Sequence, residues 1–266
     1  MRETPIRYWQ SLTTSDVPRA VAQDAVVILP LAAIEQHGPH LPLSTDLDIG
    51  MGLLASAFGH LEDDFPAWVL PPVSVGSSEE HMHLPGTLSL APDTLSRIIY
   101  QYGAALSRSG VRRLVLSNSH GGNRAALNSA ALRLRRKHGL LVVKVSYFEF
   151  PPPEVVSLPL SEWRHGLHGG AVETAMMLHL RPEAVRREEI PDARPLGAEL
   201  ESTMRRLTPE GAASFAWLAE DINRTGVAGN ARQADAVKGK LLVAYYGEIL
   251  ADVIRDARAF PLEHLA

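Results

Sequence analysis

Two residues that can bind a metal ion, Glu35 and His37, follow an apolar segment with the composition of a buried strand, residues 25–31. Because they are two residues apart, an extended backbone directs both side chains to the same face. A Gly-Pro pair then turns the chain, and Asp46 follows nine residues after His37, close enough to fold back as a third ligand. Carboxylate and neutral imidazole ligands together suit zinc, manganese or iron better than calcium or magnesium. The alternative is a polar turn that only ends a strand.

Polar residues also follow two other apolar segments. The cluster 76–83, which contains His81, comes after the apolar segment 68–75, and His120 comes just after the segment 113–118. In parallel α/β sheets, ligands bind beyond the carboxyl ends of the strands. Polar clusters at three predicted strand ends therefore favour one shared metal site over unrelated polar residues on the surface.

The elements that must position these residues alternate along the chain. Apolar segments predict strands at 25–31, 68–75, 113–118 and 140–148. Helical periodicity and end signals predict helices within 8–24 and at 50–60, 92–110, 124–138, 171–180 and 231–258. This alternation indicates an α/β fold with a mostly parallel sheet flanked by helices on both faces. Residues 1–266 are predicted to form a single domain.

Composition excludes several classes of function. The formal net charge is −4 and there is no basic block, so neither nucleic acid nor an anionic membrane surface is an expected partner. The chain has no cysteine, which removes disulfides, thiolate metal sites and a cysteine nucleophile. The N-terminal residues 1–5 lack the apolar core of a signal peptide, and no run approaches the length of a membrane span. We therefore expect a cytoplasmic protein with a small-molecule substrate.

A second histidine and glycine segment precedes the predicted helix 171–180. His168 is followed by two glycines, and Glu173 would lie in the first helical turn, aimed back toward the glycine loop. Residues 183–225 are polar and weakly periodic, and they are longer than a short α/β connection needs. We predict that part of this segment, from its own chain or from a neighbouring subunit, covers the metal site, with Trp217 or Trp163 lining the pocket. The alternative is that Trp217 anchors a surface helix.

Four segments taken in order carry a resemblance to a known family. They are Glu35-Gln36-His37-Gly38-Pro39-His40 with Asp46, Glu80-His81 with Leu84-Pro85-Gly86-Thr87, Ser119-His120-Gly121-Gly122-Asn123, and His168-Gly169-Gly170-Ala171-Val172-Glu173-Thr174. Together they resemble the creatininase family of metal-dependent amidohydrolases. The likeness extends over roughly residues 5–255, with a weaker match at the turn 226–230. It implies the creatininase-like α/β fold and hydrolysis of an amide.

The resemblance also implies a site for two divalent transition-metal ions. The implied ligands are Glu35, Asp46 and His120 for one ion, and His37, Asp46 and a further carboxylate for the other. The creatininases themselves place Tyr and Glu after the histidine that matches His120, where this chain has Gly121 and Gly122. The further carboxylate is then assigned to Glu173, as in family members with the His-Gly-Gly-Asn form. The alternative is that Glu173 is a helix N-terminal carboxylate stabilised by the helix dipole.

By resemblance, His168 is the proton shuttle, and imidazole suits both halves of that task. The alternative is that His168 supports the metal ligands from behind and transfers no proton. Creatinine recognition in the family uses a tryptophan four residues before the shuttle, where this chain has Arg164, with Trp163 one residue away. Creatinine is therefore not the expected substrate. The candidate substrate contacts are Ser78, His81, Trp163 and Trp217.

Three functions remain open at this point. The leading one is hydrolysis of a C–N bond in a small, possibly cyclic, non-peptide amide by a metal-activated water, with zinc the expected metal and manganese or iron also compatible. A peptidase that processes a mycofactocin-type precursor is the second, and a non-catalytic metal-binding assembly protein is the third. The family resemblance also implies a homohexamer, for which the apolar stretch 241–246 offers either contact surface or core packing.

Overall fold

In the computed structural model, which describes residues 5–265, four parallel strands form one sheet in the order β2-β1-β3-β4. The strands are β1 (Val26–Leu31), β2 (Ala67–Val69), β3 (Arg113–Asn118) and β4 (Leu141–Ser146). Every residue of β1 is buried, as expected for a central strand covered on both faces. The predicted α/β fold is confirmed.

The register of the sheet brings the carboxyl ends of the two central strands together. Strands β1 and β3 pair from Val26 with Arg113 to Leu31 with Asn118. The chain leaving β1 therefore reaches Glu35 at the same edge at which the chain leaving β3 reaches His120. This edge is where α/β sheets place their ligands.

Helices cover both faces of the sheet. Helices α2 (Thr45–Phe58), α6 (Ala171–Leu180) and α9 (Ala236–Ala259) pack with β1 and β3 residues such as Ile28 and Val115. Helices α3 (Pro92–Arg108) and α4 (Arg124–His138) cover the other face, where Val27 and Leu114 point. Alternate strand residues thus fill two separate cores. Shorter helices are α1 (Val17–Ala22), α5 (Leu160–His165), α7 (Leu196–Leu200) and α8 (Ala219–Ile222).

Several predicted boundaries were wrong. The strand predicted over 68–75 ends at Val69 because prolines follow at positions 71 and 72, and proline cannot donate to a strand ladder. Helix α5 lies in the segment between β4 and α6, where the sequence predicted no helix. The last helix begins at Ala236, because the Asp235 side chain caps it by accepting a hydrogen bond from the Lys238 backbone N at 2.8 Å.

One boundary matters for the site. Helix α2 begins at Thr45, earlier than the predicted start at residue 50. Asp46 therefore lies in the first turn of a helix, whereas the sequence suggested a loop. A helix N-terminus favours a carboxylate and holds it more rigidly than a loop does.

The apolar stretch 241–246 belongs mainly to the core of its own chain. Leu242, Val243 and Tyr246 are buried within it, whereas Leu241 is partly exposed. Core packing therefore explains most of this stretch. Among the helices formed by residues 5–265, none is both long and apolar enough to cross a membrane. Residues 1–4, part of the segment considered for a signal peptide, and residue 266 lie outside the described residues.

Candidate metal centre

Glu35 occupies the centre of the cluster at the sheet edge. Its side chain is fully buried, and neither of its carboxylate oxygens has a hydrogen-bond partner within the described residues. Its Oε1 lies 3.2 Å from Nδ1 of His120 and 4.0 Å from Nε2 of His37. A buried carboxylate without hydrogen bonds is costly, so this group needs a cation for compensation.

His37 turns its Nε2 atom toward the carboxylates. Its Nδ1 lies 3.1 Å from the Glu35 carbonyl oxygen, to which the ring N–H donates. Nε2 is left 3.3 Å from Oδ1 of Asp46 and 3.9 Å from Oε2 of Glu173. Gly38, at φ +73°, then reverses the chain in a conformation that favours glycine. The backbone thereby sets the ring orientation that a metal-binding histidine requires.

His120 is oriented in the same manner from the neighbouring strand. Its Nε2 lies 2.8 Å from the Ser77 carbonyl oxygen, which accepts the ring proton. Its Nδ1 faces Oε1 of Glu35 at 3.2 Å and Oδ2 of Asp46 at 3.4 Å. Both histidines therefore direct one nitrogen to a backbone carbonyl and the other to the carboxylates.

Glu173 completes the cluster from the first turn of helix α6. Its Oε2 accepts a hydrogen bond from the Gly169 backbone N at 2.6 Å, which shows the predicted direction back toward the glycine loop. Gly169 itself has φ +61°. The carboxylate remains close to His37, so the helix-dipole alternative does not by itself account for its position.

Two groups of three ligand atoms share one carboxylate. The first comprises Glu35, Asp46 and His120, and the second comprises His37, Asp46 and Glu173. A third possible group, Glu35, His37 and His168, shares one residue with each of them. Within each group the ligand atoms lie within 4.8 Å of one another. Donors of this kind fit divalent zinc, manganese or iron, and the unpartnered oxygens of Glu35 and the unpartnered Nε2 of His37 provide free lone pairs. The residues present therefore fit a two-ion site.

The electrostatics of the cluster reflect the same crowding of carboxylates and imidazoles. Burial disfavours a charged His37, but the Asp46, Glu173 and Glu35 carboxylates outweigh this effect and raise the pKa of His37 to about 9. Burial raises the pKa of Glu173 to about 7. A metal ion entering the cluster must displace protons held by these groups, so metal binding releases protons.

His168 lies against the cluster between two other imidazole rings. Its ring centroid is 4.1 Å from that of His37 and 4.2 Å from that of His81. Its Nε2 lies 2.6 Å from the Gln36 carbonyl oxygen, and its Nδ1 lies 3.5 Å from Oε1 of Glu35. Burial, reinforced by the neighbouring His37 and His81, lowers the pKa of His168 well below its usual value. His168 is therefore neutral near pH 7 and can accept a proton.

A cavity of about 450 Å³ opens above the cluster. Asp46, His120, His168 and Glu173 line its base, and aromatic side chains from several segments form much of its wall. These aromatic residues are Tyr147, Phe148, Phe150, Trp163, Phe215, Trp217 and Tyr246. Trp217 and Trp163 both lie in this lining, and their contact with substrate stays a prediction.

The other two candidate substrate contacts differ in position. His81 lines the cavity but is buried, with its Nε2 3.6 Å from Oε1 of Glu35. Ser78 is fully buried, and its Oγ lies 3.3 Å from Nε2 of His120, the edge of that ring opposite the carboxylates. The structure thus places Ser78 next to a candidate metal ligand and outside the cavity lining, so its role as a substrate contact stays a prediction.

Comparison with known proteins agrees with this geometry. Residues 10–254 match the family model described as "Creatininase: Creatinine amidohydrolase". The chain belongs to the creatininase family. A relative, the mycofactocin precursor peptide peptidase of Mycolicibacterium smegmatis, is 31% identical over 253 residues, covering 94% of this chain and 92% of that protein. The creatinine amidohydrolase of Pseudomonas putida is 30% identical over 257 residues, covering 90% and 92% respectively.

The fold of this creatininase-family chain also matches solved structures of the family. A structure described as "Creatininase Mn" superimposes with a TM-score of 0.77 at 28% identity, covering 95% of this chain and 98% of that one. The resemblance inferred from the four sequence segments is therefore confirmed, and so is the creatininase-like fold. The family is one of metal-dependent amidohydrolases, and this chain carries groups of carboxylates and imidazoles that could hold a metal ion.

Two residues of the site were not singled out from the sequence. Gln36 lies between the candidate ligands Glu35 and His37, and its side chain contacts His81 and His168. Glu162, on helix α5, accepts hydrogen bonds from the backbone N atoms of Ala171 at 2.7 Å and Asn230 at 2.8 Å. The residues around Glu162 do not indicate this role, because neither Ala171 nor Asn230 is its immediate neighbour in the sequence.

Proposed function

We propose that this creatininase-family protein hydrolyses the C–N bond of a small, possibly cyclic, amide in a metal-dependent reaction. The observation that carries this proposal is the pair of three-residue groups that share Asp46 at the base of the cavity, with neutral His168 beside them. A carboxylate and imidazole set that is buried and partly unpartnered supports metal binding, and the adjacent open cavity supports catalysis.

In this proposal each of the two groups holds one divalent ion, zinc with manganese or iron as alternatives. Glu35, Asp46 and His120 hold one, and His37, Asp46 and Glu173 hold the other. When bound, such ions polarise an amide carbonyl and lower the pKa of an attacking water. The backbone carbonyl acceptors of His37 and His120 keep their free nitrogens aimed at the site.

His168 has the position and protonation state for moving the proton. Its Nε2–H is committed to the Gln36 carbonyl at 2.6 Å, so Nδ1 is the atom that exchanges a proton. Nδ1 faces the cluster, where it can accept a proton from the attacking water and deliver it to the leaving nitrogen. The transfer is balanced, because the proton removed from water is the one that the amine product gains.

Two variants with different expected effects test these assignments. Glu35→Gln removes a ligand charge, so purified protein should lose bound metal as well as turnover. His168→Asn removes the proton acceptor, so metal content should stay at the wild-type level while kcat falls, by about 100-fold or more for a lost general acid–base. Metal analysis and single-turnover kinetics check both. A Glu35→Gln variant with full metal content, or a His168→Asn variant that loses metal, would contradict the assignment.

A peptidase that processes a mycofactocin-type precursor is the second candidate. It is supported by the relatives named mycofactocin precursor peptide peptidase and by the cavity volume of about 450 Å³, which admits more than a small ring. Parallel assays of metal-loaded protein on cyclic amides, formamides and short peptides discriminate between the two. Cleavage confined to peptides would reject the small-amide proposal, and tight metal binding with no turnover on any substrate would favour the non-catalytic alternative.

The assembly state and location of the protein remain predictions. We expect a homohexamer by family resemblance, and sedimentation that shows only a 29.0 kDa monomer would reject it. The cytoplasmic location and the absence of nucleic-acid and membrane partners likewise stay expectations from composition.

A further inference from the structure

The side chain of Gln36 connects three parts of the site while remaining outside the candidate ligand set. It is nearly fully buried, with 6% of its surface exposed. Its amide nitrogen lies 2.8 Å from Nδ1 of His81 and 3.0 Å from the Gly226 carbonyl oxygen, and its Oε1 accepts a hydrogen bond from the Gly38 backbone N at 2.9 Å. All of these contacts are shorter than 3.2 Å, so the amide has little freedom to rotate.

The backbone partners determine which end of the amide is which. Gly38 N can only donate and the Gly226 carbonyl can only accept, so the oxygen must face Gly38 and the nitrogen must face Gly226. The amide nitrogen also lies 3.1 Å from Nε2 of His168, but that ring nitrogen carries the proton donated to the Gln36 carbonyl oxygen and cannot accept. The second amide hydrogen is then directed to His81. Gly226 is held tightly here, since a Cβ at this position, where φ is +75°, would lie 2.2 Å from the Gln36 oxygen.

This arrangement dictates the tautomer of His81. Because the amide of Gln36 donates to Nδ1, neutral His81 must carry its proton on Nε2. That atom lies 3.6 Å from Oε1 of Glu35, so its N–H points at the central carboxylate. At this distance the N–H faces a candidate ligand without a hydrogen bond, and His81 is absent from the three groups of possible metal ligands found among residues 5–265.

The backbone of Gln36 performs the same task for His168. Its carbonyl oxygen accepts the Nε2–H of His168 at 2.6 Å, which leaves Nδ1 with a lone pair facing the cluster. The rings of His81 and His168 stack at 4.2 Å with an interplanar angle of 29°, so a shift of one ring displaces the other. One residue therefore controls both imidazoles that are next to the candidate metal centre without being assigned as ligands.

We propose that Gln36 is a positioning residue that sets the tautomer of His81 and the stacking of His81 on His168, so that His168 presents an unprotonated Nδ1 to the reacting atoms. The inference rests on the proposed hydrolytic function for its effect on rate. Its structural part, the Nε2–H tautomer of His81, does not depend on that function.

The sharpest test is Gln36→Glu, which keeps the size of the side chain and replaces the amide donor with a carboxylate oxygen. This oxygen would repel the Gly226 carbonyl and require a proton on Nδ1 of His81. In zinc-loaded protein, the imidazole ¹⁵N spectrum should show His81 changing from the Nε2–H form to an Nδ1-protonated form. We expect kcat to fall about 10- to 100-fold with little change in KM or zinc content, as for other residues that orient a metal site.

Gln36→Met and Gln101→Glu complete the design. Gln36→Met removes the donor without adding charge, so His81 should populate both tautomers, and it keeps the test decisive if Gln36→Glu folds poorly. Gln101 is exposed on helix α3 and supplies the matched charge change, which should alter neither the spectrum nor the rate. Gln36→Met should also lower kcat much less when it is introduced into a His81→Asn variant than into the wild-type protein, because the two residues act as a unit.

The outcomes separate the inference from the proposed function. If His81 keeps its Nε2–H tautomer in both Gln36 variants, the inference is overturned, whatever the rates. If the tautomer changes but wild-type protein hydrolyses no amide, the positioning role stands and the hydrolytic proposal fails. If the tautomer changes in an active enzyme and kcat does not, the part of the inference that concerns His168 is rejected.

Discussion

The inner and outer walls of the cavity are built in different ways. The inner wall is the candidate ligand cluster, in which Asp46, His120 and Glu173 line the cavity and Glu35 and His37 are buried next to them. Their side chains are at most 14% exposed and come from the sheet edge or from helix N-termini. The outer wall, residues 210–217 together with Trp163, belongs mostly to a segment of turns. Its Glu210 side chain is 43% exposed.

The contacts that hold the two walls differ accordingly. The inner wall is fixed by buried hydrogen bonds to backbone carbonyl and N–H groups, such as that between Nε2 of His120 and the Ser77 carbonyl. The outer wall is held by the Trp217 Nε1 donation to the Pro209 carbonyl at 3.1 Å and by an exposed ion pair from Arg124 to Glu210 at 3.1 Å. We infer that the inner wall sets the chemistry, while the more exposed outer wall contacts the substrate.

The largest effect should come from the residue shared by both groups of ligands. Asp46→Asn removes the charge that would bridge the ions, and we expect metal loss and a fall in turnover of about a thousandfold, which corresponds to roughly 4 kcal/mol of lost stabilisation. Asp48→Asn is the matched control, because Asp48 lies on the same helix and contacts Ser44 and Arg181. Equal losses in both variants would show that the effect is on helix α2 and unrelated to the site.

Crowding behind His120 allows a second test of the inner wall. A Cβ at Gly122 would lie 2.2 Å from the Ser77 carbonyl oxygen and 2.6 Å from Nε2 of His120, so Gly122→Ala must displace the ring. We expect metal affinity to weaken about 10- to 100-fold, as for the loss of other groups that orient metal ligands. Gly121→Ala is the control, since its Cβ would meet no other described residue within 4 Å beyond its chain neighbours. Competition with a chelator measures both, and equal affinities would refute the proposed crowding.

Removal of an aromatic side chain tests the outer wall. Trp217→Ala should lower kcat/KM about tenfold, equivalent to about 1.4 kcal/mol, through lost contact with substrate. Metal content should not change, because Trp217 lies beyond His81, at 6.4 Å between ring centroids. Leu207→Ala, on the same segment but exposed and outside the cavity lining, is the control. A lower melting temperature with an unchanged rate per folded molecule would instead make Trp217 a structural anchor.

The smallest effect is expected for the exposed ion pair of the outer wall. Glu210→Gln should change kcat/KM by less than about fivefold, since surface salt bridges contribute at most about 1 kcal/mol. Arg124 also retains its contact with Glu149 at 3.0 Å. Steady-state kinetics at low and high salt provide the measurement. A loss comparable to that of Asp46→Asn would show that the two walls are not energetically distinct.

Short sequence patterns were enough to predict the fold class and some of the candidate ligands in the inner wall. The apolar run of β1, followed by Glu35 and His37 at strand spacing, predicted both a buried strand and two donors, because alternation and burial are properties of a short segment. The position of His120 after the predicted strand 113–118 placed it at the same edge, and the order of the four motifs added the roles of His168 and Glu173 by resemblance. The early ending of β2 was missed because the apolar character of 68–75 concealed the effect of its prolines.

What the tertiary structure decided is which distant segments meet. Glu173 approaches His37 because helix α6 packs beside α2 on one face of the sheet, and Trp217 reaches the cavity from a segment without periodicity. The role of Gln36 likewise depends on Gly226 and His81, which are far from it in sequence. Such contacts arise from the docking of elements and from unpaired hydrogen-bonding groups that must find partners, and neither is encoded in the spacing of neighbouring residues.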